Sequence, residues 1–152
     1  MEDKKYISSV VTDLIKIVLI GLFFGVLVAL VAHLFVEGVK FFSLSRDLFT
    51  KIEIGGFLFG YGHVITLTVA ALLIAFIKQT LAIGRWEGPG DSIFAAHRTD
   101  NELNVQTGLA STLVAFISAS GGASVGQYGP LVHFGAVVGS FCKRVLSTNI
   151  TT

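Results

Sequence analysis

From Val105 to Cys142 the chain runs for about 38 residues without an Asp, Glu, Lys or Arg, yet the middle of that run reads SGGASVGQYGPLVHFG, Ser120 to Gly135. An uncharged run of this length belongs in a bilayer, where about 20 helical residues cross some 30 Å of hydrocarbon. Glycine and proline end helices. A helix broken at membrane depth leaves amides with neither water nor carbonyl partners, at several kcal/mol each. Two complete spans need about 40 helical residues. Gly121 to Pro130 withdraws about ten of them, leaving pieces of roughly 16 and 12. The segment therefore reads as two partial helices meeting inside the membrane, which is tolerated only where protein buries the break or a wet cavity faces it.

The rest of the chain agrees with a multi-pass membrane protein. Of its 152 residues, 53% are hydrophobic and 14% charged, far from soluble composition. A net charge of +1 and the lack of a basic cluster interleaved with aromatics exclude a nucleic-acid binder. The single cysteine, Cys142, can form no internal disulfide. No His/Cys cluster at ligand spacing calls for a metal, and nothing calls for a cofactor. Ser120 and Ser124 lack a Ser/His/acid pattern, so the chain does not read as an enzyme.

Residues 1–15 read as an N-terminal interfacial segment, with Tyr6, Ile7, Val10, Val11, Leu14 and Ile15 at helical spacing, ahead of a membrane domain over 16–152. Acids mixed with lysines, and an apolar run without a small-residue cleavage site, argue against a removed signal peptide. Ile17 to Val36 is the first span, and Gly21, Gly25 and Ala29 give it a small-residue stripe for close helix approach. Lys40, Arg46, Asp47, Lys51 and Glu53 mark the loop expected after it. Ile54 to Ile77 is the second span, beginning nearer Phe57 if Gly55, Gly56, Gly60 and Gly62 unwind its start. In the polar stretch after it, Gly88, Pro89 and Gly90 read as a turn, with Asp91 as N-cap of a helix of a turn or two.

The break has a chemical use. Pro130 suits the first position of the second partial helix, and Gly126 and Gly129 permit close approach. Lys143 and Arg144 stand at its far end, where the macrodipole favours cations. Such a helix start aims bare N–H groups and positive partial charge into the membrane, which outlines an anion site. Dehydrating a small anion costs on the order of 20 kcal/mol in an idealised estimate. A helix dipole returns at most about 2 kcal/mol. Direct amide contacts at roughly 1.5 to 3 kcal/mol each must supply more, with residual water and donors from other segments completing the site.

Gly126-Gln127-Tyr128-Gly129-Pro130, followed by Val132 and Gly135, resembles the G-[K/R]-E-G-P-x-V-x-x-G motif of the ClC chloride channels and chloride/proton antiporters. Gly121-Gly122 before it, and Gly88-Pro89-Gly90 in the place of that family's G-S-G-I-P, fall in the same order. The likeness runs from about Leu14 to Val145 and implies an all-α integral membrane fold of tilted and broken helices whose N-termini converge on an anion. It implies chloride or a similar small anion as partner, the lipid bilayer as surroundings, a cytoplasmic N-terminus and a cell-membrane location. The chain corresponds to about the first third of such a protomer. The second inverted repeat, the pore tyrosine and the homodimer interface of the full-length family lie outside it.

The anion-binding and gating residues implied are Pro89, Gly90, Gly126, Gln127, Tyr128, Gly129 and Pro130. Tyr128 stands where the family has its gating glutamate, and a phenol with an ordinary pKa near 10 keeps its proton near neutrality and cannot stand in as a proton carrier. The expectation is an anion pathway without proton coupling. Gln127 replaces the usual cation, which weakens anion attraction. Pro89 occupies the place of the anion-contacting serine, where proline goes with nitrate preference, but Asp91-Ser92 replaces the adjoining Ile-Pro. Plainer readings stand beside these: glycines that serve helix packing in a non-transporting scaffold, a packed or interfacial Tyr128, and Pro89 to Asp91 as capping alone. His33, His63, His97 and His133 read as hydrogen-bonded, packed or helix-end histidines.

Overall fold

The computed structural model describes the backbone of residues 2–48, 52–54, 57–59, 61–100 and 102–146, and the side chains of 11–12, 14–44, 61–100 and 102–144. Among the described residues five helices follow one another: α1 (Glu2–Leu48), α2 (Tyr61–Thr80), α3 (Pro89–Ala96), α4 (Val105–Gly121) and α5 (Tyr128–Leu146). The fold is the all-α membrane architecture expected, with one addition. An antiparallel hairpin, β1 (Ile52–Ile54) and β2 (Phe57–Phe59), stands between α1 and α2 with Ile52 opposite Phe59.

Two expectations are corrected. α1 is one helix of 47 residues that passes through Lys40, Arg46 and Asp47 rather than ending in a loop before them. Charged side chains cost a helix surface little, and Lys40 Nζ bonds Glu37 Oε1 at 2.8 Å one turn away. Residue 51 lies outside the described residues, and Glu53 is in β1. α2 starts at Tyr61, not near Phe57, because alternating Ile and Phe suit a strand as well as a helix. Of the glycines expected at its start, Gly62 is buried in α2, while Gly55, Gly56 and Gly60 lie outside the described residues.

α1 and α2 contain the stretches long and apolar enough to cross a membrane, Leu14–Leu44 and Tyr61–Thr80. Their large apolar side chains face outward, with Leu22 65% and Phe76 67% exposed, as lipid-facing residues should be. α4 is the hub. It packs against α1, α2 and α5, and its Gly108, Ala110, Ser111, Thr112, Val114 and Gly121 are buried.

Small residues make those contacts possible. A Cβ on Gly108 would lie 2.3 Å from Val137 Cγ2 of α5, one on Gly121 2.7 Å from Ala70 Cβ of α2, and one on Gly38 2.8 Å from Phe116 Cε2. Thr66 Oγ1 donates to Gly121 O at 2.9 Å, so α2 also caps the last turn of α4. Phe116 meets Phe35 edge-on with ring centroids 5.3 Å apart. The stripe on α1 makes no such contact: a Cβ on Gly21 or Gly25 meets nothing within 4 Å among the described residues.

Candidate functional site

α3 begins at Pro89, three residues before the expected start, with Gly88 rather than Asp91 as its N-cap. The ring fixes φ near the helical value and lacks the N–H that the first position cannot use. Asp91 is thereby the third residue of the helix and not its cap. Its Oδ2 reaches back to accept from Gly88 N at 2.8 Å, and the Arg85 guanidinium donates to its Oδ1. The Gly88 N–H is the main cause holding the Asp91 carboxyl below its ordinary range, with Arg85 adding to it against some desolvation. The positive end of α3 thus carries its own neutralising carboxylate.

α5 begins differently. Gly122, at φ +105°, ends α4 in the left-handed conformation, and its N–H bonds Ala119 O and Ser118 O. Val125 N turns back onto Ala123 O at 3.0 Å. Gly126, at φ +73°, then redirects the chain into Tyr128. The interruption is therefore residues 122–127, and Pro130 is the third helical residue rather than the first. The third position also lies within the turn whose N–H groups have no intrahelical acceptor, so the proline fits there equally well. No acid occupies the first turn of α5, and Lys143 and Arg144 occupy its last.

The two starts touch. A Cβ on Gly129 would lie 3.2 Å from Pro89 Cγ, whereas one on Gly126 meets nothing within 4 Å. Of the residues implied for the site, Pro89 and Gly90 open α3, Gly126 and Gln127 end the interruption, and Tyr128, Gly129 and Pro130 form the first turn of α5. Tyr128 is 80% exposed and borders an open cavity of about 500 Å³ together with Ala32, His33, Val36, Leu131 and Val132.

Behind this junction lies a polar cluster that the sequence reading passed over. His133, one turn into α5, is the most buried polar residue described, at 1% exposure. Its Nδ1 lies 2.7 Å from Ser92 Oγ of α3, and its Nε2 lies 3.9 Å from Glu87 Oε2. Glu87 N donates to Ser111 Oγ of α4 at 2.9 Å, which fixes the loop ahead of α3 against the hub. Burial raises the Glu87 carboxyl above its ordinary range, the nearby Asp91 raises it further, and Arg85 opposes both. The signal available in the sequence was limited to His133 standing three residues past Pro130, on the turn after the break.

The sequence pattern described as "Voltage gated chloride channel" matches residues 68–152, more than half of the chain. The chain belongs to the voltage-gated chloride channel family. No curated protein and no solved structure matches it. The matched region begins inside α2 and takes in the α3 start, the hub, the interruption and α5. Family membership and the apolar helices make this an integral membrane protein of an anion-transporting family of channels and transporters.

Proposed function

We propose that the junction of α3 and α5 is one wall of an anion path for chloride or a similar small anion, with Tyr128 at its mouth and no proton carried at that position. The observation that carries this reading is the meeting of two helix starts at Pro89 and Gly129, with no acid in the first turn of α5. The N–H groups of that turn precede the first intrahelical bond and have no carbonyl partner by helix geometry. α3 contributes less, since Asp91 already holds Gly88 N–H. The working unit we infer is the family's homodimer in the cell membrane, with further donors from outside this chain.

A non-transporting scaffold is the competing reading, and Gly38, Gly108 and Gly121 do serve packing. Gly126 does not: it faces open space at a positive φ, which supports a role in shaping the break. Radiotracer chloride uptake into liposomes, with this chain alone and with the rest of a family protomer supplied, decides between them. Anion movement in either preparation supports the proposal. Tight assembly with no movement in both would favour the scaffold.

A further inference from the structure

Two buried polar atoms, Glu87 Oε2 and His133 Nε2, face each other without a hydrogen-bond partner among the described residues. Leaving such groups unmatched is costly, so their persistence at 3.9 Å needs an occupant. The hydrogen-bond pattern names it. If the Ser92 hydroxyl donates to Nδ1 at 2.7 Å, the remaining ring proton sits on Nε2 and points at the carboxylate. If the proton sits on Nδ1 instead, two lone pairs confront each other until a proton arrives from elsewhere. In either case the pair is completed by protons, and a side-chain movement of about 1 Å closes it to a charge-assisted hydrogen bond.

We propose that Glu87 and His133 form one proton-binding site behind the helix junction, and that proton uptake there strengthens anion occupancy of the junction. This rests on the anion reading above. With Glu87 ionised and His133 neutral the pair carries one negative charge. One proton from solvent brings it to zero, whichever of the two atoms holds it. His133 lies four residues beyond Gly129, about 6 Å along the helix, so the charge removed is close enough to change anion affinity roughly tenfold. Access is one-sided. The Glu87 side chain is 19% exposed and His133 1%, so protons reach the pair through the carboxylate.

The other groups around the pair are fixed or distant. Asp91 of α3 is held by Gly88 N–H and Arg85, and Arg85 flanks Glu87 in the loop. α4 offers the hydroxyl of Ser111. His33 of α1 borders the cavity beside Tyr128, Leu131 and Val132 of α5.

The test is a ring-nitrogen NMR titration of His133 in the full chain in lipid nanodiscs, between about pH 5 and 8, with and without sodium chloride, in wild type and Glu87→Gln. The expected result is that chloride raises the wild-type midpoint by about one unit, the linkage counterpart of a tenfold affinity change. Glu87→Gln should lower the midpoint, because the ring loses its anionic partner, and at neutral pH it should bind chloride as acidified wild type does. A Glu87→Gln midpoint identical to wild type, or a wild-type midpoint that bound chloride leaves in place, overturns the proposal. Should Glu87→Gln fail to fold, Glu87→Asp must keep a chloride-sensitive midpoint at a displaced value, and an unchanged midpoint is equally fatal. If chloride perturbs no resonance at any pH, the anion reading and the coupling both fall. A midpoint displaced by Glu87→Gln would even then uphold the shared proton.

Discussion

The starts of α3 and α5 abut, yet they are chemically opposite. Both open with glycine and proline within their first three residues, and both leave amides that the helix itself cannot pair. At α3 the chain answers them internally, with Asp91 returning to Gly88 N–H and Arg85 closing on the carboxylate. At α5 it supplies no carboxylate, places an exposed phenol at the first position, and holds the helix from behind through Gly108 and Val137. The difference teaches that a helix start is an anion site only to the extent that the sequence declines to cap it. One acidic residue in the first turn separates a finished structural element from a receptive one.

This contrast can be broken from either side. The largest effect is expected from Gly129→Val, whose branched side chain has to displace Pro89 from the 3.2 Å approach. Losing one or two amide contacts should lower chloride flux or affinity about 10- to 100-fold, read by tracer uptake with circular dichroism to check the helices. A loss below about twofold would mean that the two starts need not touch.

Tyr128→Glu makes α5 resemble α3 and should lower chloride flux about tenfold at neutral pH. A carboxylate at a helix start has a depressed pKa, so it is charged at neutrality and loses that charge only as pH falls through a value below the ordinary glutamate range of about 4.3. Flux should therefore recover only in strong acid, and a variant with wild-type flux across the whole range would contradict the placing of Tyr128 at the mouth of the path.

The smallest effect is expected from Asp91→Asn, which keeps an acceptor for Gly88 N–H but removes the charge. Relieving a carboxylate at that helix end should tighten chloride binding about two- to fivefold. Isothermal titration in nanodiscs would read it, and weaker binding would show that Asp91 orders α3 more than it opposes an anion.

How far the sequence revealed this arrangement depended on the range of the signal. The break was legible because Gly121, Gly122, Gly126, Gly129 and Pro130 act locally on φ and on helix hydrogen bonding. The lipid-facing spans were legible from uncharged length. The exact role of Asp91 was not, since a carboxylate can serve as N-cap or reach back from the third position, and the choice fell to Pro89. The hairpin was hidden because Ile52 to Phe59 satisfies strand and helix alike. Least visible was the Ser92, His133 and Glu87 cluster. Its members stand 41 residues or more from His133 on one side, and nothing short of the packing of α3 on α5 brings them together.

The length of α1 has a mechanical consequence. At 1.5 Å per residue its apolar stretch of 31 residues is about 46 Å long and the whole helix about 70 Å. A hydrocarbon slab is about 30 Å thick. A rod so much longer than the slab has to lean steeply, thicken the lipid around it or stand proud of the surface. Because Gly38 and Phe35 clasp Phe116 of the hub, any change in that lean is transmitted as a lever to α4. Bilayer thickness is thereby a physical input to the scaffold that holds both helix starts.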